Sequence, residues 1–126
     1  MSDWRRLSRK AGLRVTDNEL VLTFSDGRQH RVTVEERPGR EDLRLWAVAA
    51  QGAMLPDEPE GPQVHAWKRN RFSDLVGFKI DGRGRLVGEA WVPLAGLDAE
   101  EWTLYVNAVA RACDRVEYLL SGRDEL

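Results

Sequence analysis

The 126-residue sequence predicts one α+β domain, residues 1–126, in which a single antiparallel sheet of about five strands is combined with three helices. Two observations predict this class. Apolar and polar residues alternate in several short segments bounded by Gly and Pro turns, as they do in half-buried strands. A 3.6-residue apolar periodicity then runs through the last quarter of the chain. The predicted order is helix, three strands, short helix, two strands and long helix.

The first half predicts the N-terminal helix and the first three strands. Ser2 can cap a short helix that carries Trp4 on its apolar side, and Gly12 can end it. Three segments alternate as strands: 19–24, 30–34 and 43–49. Residues 25–28 contain an Asp-Gly pair, which tolerates the positive φ angles of a tight hairpin turn. Residues 37–40 turn the chain again before the third strand.

The second half begins with a loop and a short middle helix. Residues 51–63 are rich in Gly, Pro and acidic side chains, so they predict a loop. Residues 64–72 predict a short amphipathic helix. Residues 76–80 and 86–92 then alternate as two further strands.

The long C-terminal helix has the clearest pattern in the sequence. Asp98 and Glu101 have the spacing of a capping box at its start, and Gly122 follows its last apolar position. Apolar residues recur at three- and four-residue steps and predict the packing face: Trp102, Tyr105, Val106, Val109, Cys113, Val116 and Leu120.

Three glycines, Gly82, Gly84 and Gly88, raise the question of a phosphate-binding loop. A dinucleotide-binding fingerprint needs its glycines between a strand and a helix N-terminus. Here strand-like segments lie on both sides, and Gly82 follows Asp81 as in a hairpin. The pattern therefore predicts a hairpin, with Gly88 at a bulge or a close contact inside the second strand, and no bound cofactor.

Composition and charge disfavour several classes of protein. The formal net charge of −2 gives no overall attraction to nucleic acid or to an anionic membrane. No segment approaches the roughly 18 apolar residues that a membrane helix needs. The charged start has no apolar stretch typical of a secretory signal, and Cys113 is the only cysteine. We therefore expect a cytoplasmic protein without an internal disulfide.

The sequence contains no recognisable catalytic or metal-binding spacing. His30 falls on the apolar face of a strand and is expected to be a core or sheet-edge histidine, and neither it nor His65 has a ligand spacing. Cys113 falls on the inner face of the last helix, where a buried inert thiol is expected. We therefore expect a non-enzymatic protein with no metal. An enzyme with an unfamiliar site around His30 is a further hypothesis.

Tryptophan is frequent for this length, with five residues: Trp4, Trp46, Trp67, Trp91 and Trp102. Trp46 and Trp91 lie on strand faces opposite their neighbouring core residues, so they predict a second apolar surface. A protein partner, a second copy of the chain or the domain's own helices could cover such a face.

Basic and aromatic residues are interleaved in the middle helix, with Trp67, Arg69, Arg71 and Phe72 in one short stretch. Aromatic side chains that stack on bases and arginines that bind phosphates give this pattern in proteins that bind single-stranded nucleic acid. A short amphipathic helix gives the same pattern, and the acidic balance of the chain disfavours nucleic acid.

Several short motifs within residues 64–122 are specific enough to suggest a family. They are Asn70, VGFKID at 76–81, GRLV at 84–87, VPL at 92–94, GL at 96–97 and the capped helix start at 98–101. Together they resemble the YbjN-like family, whose fold is that of type III secretion chaperones. The first half agrees only in the order of its elements.

The resemblance implies a small, often dimeric, non-enzymatic protein that binds a segment of another protein. The chain is less acidic and richer in arginine than a typical secretion chaperone. We expect a chaperone-like adaptor that forms a homodimer, with a single-stranded nucleic-acid accessory protein as the alternative. The expected partner or dimer surface comprises Trp46, Trp67, Arg69, Arg71, Phe72 and Trp91.

Overall fold

The computed structural model describes residues 4–71 and 73–120. The elements in chain order are α1 (Trp4–Lys10), β1 (Arg14–Thr16), β2 (Glu19–Thr23), β3 (Gln29–Glu36), β4 (Asp42–Ala50), a 3₁₀ turn (Gly52–Met54), α2 (Gln63–Asn70), β5 (Gly77–Ile80), β6 (Leu86–Pro93) and α3 (Ala99–Leu120). The strands form one antiparallel sheet in the order β1-β2-β3-β4-β6-β5. The predicted α+β class and the order of its main elements are confirmed.

The sheet has six strands instead of about five, because β1 pairs with β2 through the register Arg14↔Val21. A strand of three residues is too short to show the alternation on which strand prediction depends. The turn that joins β1 to β2 places Asp17 at a φ of 51°. The predicted Ser2 cap, Phe72 and the helix end at Gly122 lie outside the described residues.

The long helix α3 packs across β3, β4 and β6, and α1 packs against α3 and β1. We call this side of the sheet the inner face. Trp4 and Trp102 meet there with ring centroids 6.2 Å apart. The buried Ser8 hydroxyl donates to the Trp4 carbonyl at 2.7 Å and accepts the Trp102 indole N–H at 2.7 Å. One serine thus satisfies a deeply buried polar group while it joins the two helices.

Gly88 of β6 lies in close contact with Cys113 of α3. A Cβ built at this position would lie 2.5 Å from Cys113 Sγ, 3.1 Å from Val76 Cγ1 and 3.2 Å from Phe78 Cε1. No real Cβ fits at such a distance, so only glycine permits this helix–sheet packing. The close contact expected at Gly88 is confirmed.

The other two glycines, Gly82 and Gly84, belong to the β5–β6 hairpin. The Asp81 N–H donates to the Arg85 carbonyl at 2.9 Å, and Gly84 adopts a φ of 76°. Asp81 Oδ1 accepts the backbone N–H groups of Arg83 and Arg85, each at 2.9 Å, and Oδ2 accepts Arg85 Nε at 2.8 Å. The turn is therefore filled by its own side chains, as the hairpin interpretation requires.

The free edge of the sheet at β5 is protected by the middle helix α2. Asn70 Nδ2 donates to the Phe78 carbonyl at 2.9 Å, and the Phe78 N–H donates to Asn70 Oδ1 at 2.6 Å. One side-chain amide thus replaces one step of a strand ladder and blocks edge-to-edge pairing at that position. None of the described helices is long and apolar enough to cross a membrane.

Replacing Gly88 by alanine is expected to destabilise the fold by about 1–3 kcal/mol, the usual cost of overpacking a filled core. Urea denaturation measures the change in the free energy of unfolding. In a Cys113→Ala background the same substitution is expected to cost less, because the nearest obstructing atom is gone.

Gly82→Ala is the matched control, since Gly82 has open space around its Cα and no positive φ. If Gly88→Ala lowered the free energy of unfolding no more than Gly82→Ala does, the tight packing of α3 against Gly88 would be contradicted.

Candidate functional site

The outer face is the side of the sheet turned away from α3. Trp46 of β4 and Trp91 of β6 both lie on it, because the register pairs Trp46 with Glu89 and Arg44 with Trp91. Trp46 is partly buried, whereas 41% of Trp91 is exposed. The two side chains are diagonal neighbours on adjacent strands. The described part of the domain therefore leaves Trp91 incompletely covered.

The charged side chains around these tryptophans neutralise one another across four strands. Arg44 Nε donates to Glu89 Oε1 at 2.5 Å, and Arg44 Nη1 lies 3.3 Å from Glu35 Oε1. Lys79 Nζ lies 3.3 Å from the same Glu89 oxygen. Arg44 and Glu89 are mostly buried by their neighbours, so this network fixes the middle of the outer face more firmly than isolated surface pairs would.

Arginines also stack on both outer-face tryptophans. The guanidinium carbons of Arg44 and Arg85 lie 5.4 and 5.8 Å from the Trp46 ring centroid. The Arg37 guanidinium lies 4.8 Å from the Trp91 ring centroid. Such cation–π contacts orient the rings and leave an aromatic surface with a positive border.

The other predicted surface residues that the structure describes lie on α2 or at its C-terminal cap. Trp67 is 61% exposed, and the Arg71 guanidinium lies 5.2 Å from its ring centroid. Arg69 lies on the same helix and is partly buried, while Phe72 lies outside the described residues. The structure thus groups the predicted residues by element: Trp46 with Trp91 on the sheet, and Trp67 with Arg71 on the helix.

A groove that the sequence did not predict runs between α3 and the β1–β2 side of the sheet. Its volume is about 920 Å³. Leu13, Leu22 and Phe24 contribute apolar side chains to its wall, and Arg111 and Arg115 of α3 line the opposite side. The groove therefore combines apolar surface with a positively charged border.

Three arginines at this groove, Arg14, Arg111 and Arg115, are exposed and make no ion pair with another described residue. Arg28 is different, because its Nη2 lies 2.7 Å from Asp114 Oδ2 and its Nε lies 2.7 Å from Asp26 Oδ2. The three arginines therefore give the groove a positive potential that its own carboxylates do not cancel.

Only one wall of this groove, the one formed by α3, has a recognisable pattern in the sequence. Asn107, Arg111 and Arg115 follow one another at four-residue steps, which places them on one side of a helix. The opposing wall comes from residues 12–28, about ninety positions earlier in the chain, and no local pattern joins the two.

The predicted burial of Cys113 and His30 is confirmed. Burial raises the pKa of the Cys113 thiol to about 12, so the thiol is neutral at physiological pH and unsuited to nucleophilic attack. His30 lies on the inner face with 7% of its surface exposed, as expected of a core histidine. His65 is equally buried and donates its Nε2–H to the Pro56 carbonyl at 2.6 Å, which fixes the preceding loop to α2.

Sequence comparison provides no family assignment. No protein-family model matches this sequence, and no curated protein matches it.

Comparison with solved structures shows the fold. A chain of the crystal structure of the ExsC–ExsE complex has a TM-score of 0.62 and 23% identity, over 93% of this chain and 92% of that one. A chain of the HopA1–SchA chaperone–effector complex has a TM-score of 0.61 and 14% identity, over 89% and 88%. A chain of the heterodimeric ExoU–SpcU complex, from the type III secretion system of Pseudomonas aeruginosa, has a TM-score of 0.61 and 21% identity, over 94% and 96%.

This chain therefore has the fold of type III secretion chaperones, as the resemblance implied. The narrower assignment to the YbjN-like family stays a prediction.

Proposed function

We propose that this protein is a non-enzymatic, chaperone-like adaptor of the cytoplasm that holds a segment of another polypeptide in the groove beside α3. The observation that carries the proposal is the combination of apolar wall and uncompensated arginines in that groove. The shared fold supports it, because the similar structures are of chaperones bound to partner proteins.

Charge and polarity define the segment that fits. Leu22 and Phe24 offer apolar contact, and Arg14, Arg111 and Arg115 offer charge-assisted hydrogen bonds to carboxylates. An extended segment with alternating apolar and acidic side chains satisfies both requirements at once. A basic segment would place like charges together in the groove.

Selection of random twelve-residue peptides displayed on phage against the wild-type protein is expected to enrich sequences with acidic and apolar residues. Arg111→Glu and Arg115→Glu are each expected to weaken the binding of a selected peptide by about tenfold, since each reverses a charge at the groove. Fluorescence anisotropy with the labelled peptide measures the affinities.

Arg83→Glu is the matched control, because Arg83 is an exposed arginine of the β5–β6 turn and does not line the groove. If Arg83→Glu lowered the affinity for the peptide as much as Arg111→Glu does, the groove would not be the binding site. Enrichment of basic peptides would contradict the proposed partner chemistry.

We further propose that the outer face, with Trp46 and Trp91, binds a second copy of the chain. In a two-fold dimer a surface faces its own copy, so uncompensated charge would repel itself. The ion pairs that join Arg44 to Glu35 and Glu89 remove that obstacle, and Trp91 supplies exposed apolar area. Trp67 and Arg69 of α2, together with Arg71 and Phe72, are proposed as part of the same partner or dimer surface.

Light scattering is expected to give twice the 14.3 kDa mass of one chain for the wild type. Trp91→Glu is expected to shift it to the monomer, because a buried charge at an apolar contact is costly. Leu104→Glu is the control, since Leu104 of α3 is 63% exposed and lies away from the outer face. A wild-type monomer at all concentrations would refute the dimer.

The alternative function, binding of single-stranded nucleic acid, is favoured by the exposed Trp67 ring with Arg71 stacked on it. Two contacts oppose it: Lys68 on the same helix is paired with Glu58 at 3.2 Å, and Arg44 is paired with glutamates. Phosphates would have to displace these carboxylates.

An adaptor that binds protein is expected to leave a labelled single-stranded oligonucleotide unshifted in a gel at micromolar protein and low ionic strength. A shift that salt abolishes, and that Trp67→Ala weakens, would establish the alternative.

A further inference from the structure

His30 of β3 is held in one orientation by a backbone contact on one side of its ring. Its Nε2 lies 2.9 Å from the Val48 carbonyl, and a carbonyl oxygen can only accept. Nε2 therefore carries a proton. In the neutral ring, Nδ1 then presents a lone pair.

That Nδ1 atom is buried and makes no hydrogen bond. It faces two carboxylates of α3, with Asp114 Oδ1 at 3.6 Å and Glu117 Oε1 at 3.9 Å. Asp114 and Glu117 are three positions apart, so both point from the same side of the helix. The three ligand atoms lie within 4.8 Å of one another. A ring nitrogen with a lone pair and two carboxylate oxygens are groups that bind a cation.

The spacing fits a metal ion better than a direct hydrogen bond. A charge-assisted N–H···O bond is about 2.7–2.9 Å long, shorter than either separation here. Ligands bound tetrahedrally at about 2.0–2.1 Å from Zn²⁺ lie about 3.3 Å apart. Because Glu117 is half-exposed, its side chain has room to move toward the other two ligand atoms.

The surroundings of the cluster are those of a metal site. His30 donates its other ring N–H to a carbonyl, the usual way in which a protein orients a metal-binding histidine. Arg28 Nη2 occupies the second Asp114 oxygen at 2.7 Å and leaves Oδ1 available. His30 and Glu117 also line a surface cavity of about 450 Å³, which gives an ion a path from solvent.

We propose that His30, Asp114 and Glu117 bind one divalent transition-metal ion, with Zn²⁺ the best fit and water in the open position. Imidazole nitrogen selects zinc-like metals over Mg²⁺ and Ca²⁺, which prefer oxygen ligands. The ion joins β3 to the last turns of α3. This inference does not rest on the proposed binding of a polypeptide.

Calorimetric titration of the full chain with Zn²⁺ at neutral pH is expected to show one equivalent bound. Glu117→Gln is expected to weaken binding at least tenfold, since it removes a charged ligand at a half-exposed position that the fold tolerates. Glu100→Gln is the control, because it removes the same charge from an exposed site at the start of α3. Co²⁺ is expected to give the visible absorption of a four-coordinate site in the wild type and in Glu100→Gln, but not in Glu117→Gln.

Cys113 is not expected to compete in this titration, because its Sγ is fully buried against Gly88 of β6. His30→Gln is a second variant expected to lose binding, with circular dichroism to confirm that it folds. Absence of saturable Zn²⁺ binding by the wild type, equal affinity in Glu117→Gln, or equal competition by Mg²⁺ would each overturn the proposal.

Discussion

The close approach of α3 to β6 at Gly88 is the constraint on which the rest of the structure depends. Gly88 has no side chain to separate α3 from β6, so Cys113 Sγ packs directly on the strand backbone. The same helix carries Arg111 and Arg115 at the groove, and Asp114 and Glu117 beside His30. Anything that lifted α3 from the sheet would move the groove wall and the histidine cluster together.

Two turns of similar sequence connect β2 to β3 and β5 to β6 in the sheet on which α3 packs. In each, an aspartate accepts at least one backbone N–H of its own turn and the guanidinium N–H of a following arginine: Asp26 with Arg28, and Asp81 with Arg85. Burial opposes ionisation of Asp81, but these hydrogen bonds lower its pKa overall. Arg28 also reaches Asp114 of α3, so a local turn motif and a tertiary contact share one side chain.

The parts of the fold that the sequence could predict are those with a local cause. The periodicity of α3, the Asp-Gly turns and the alternation of β3 and β4 each lie within one short segment, and the structure confirms them. The position of Trp91 on the outer face followed from the same kind of alternation in β6, whereas its exposure did not. The pairing of His30 with Asp114, and of Leu22 with the Arg111 side of α3, joins residues more than eighty positions apart. No local pattern in a single sequence indicates a contact between residues so far apart.

The net charge of this protein is a poor guide to the charge of its binding partners. The local electrostatic potential depends on which charged side chains are ion-paired, and not on how many there are. The whole chain carries −2, yet glutamates cancel the basic groups in the middle of the outer face, while Arg111 and Arg115 keep their charge. Interactions between exposed charges are screened within about 8–10 Å at physiological salt. The potential at the groove is therefore set by those arginines and not by distant acidic residues. Hence an acidic chain can present a basic surface.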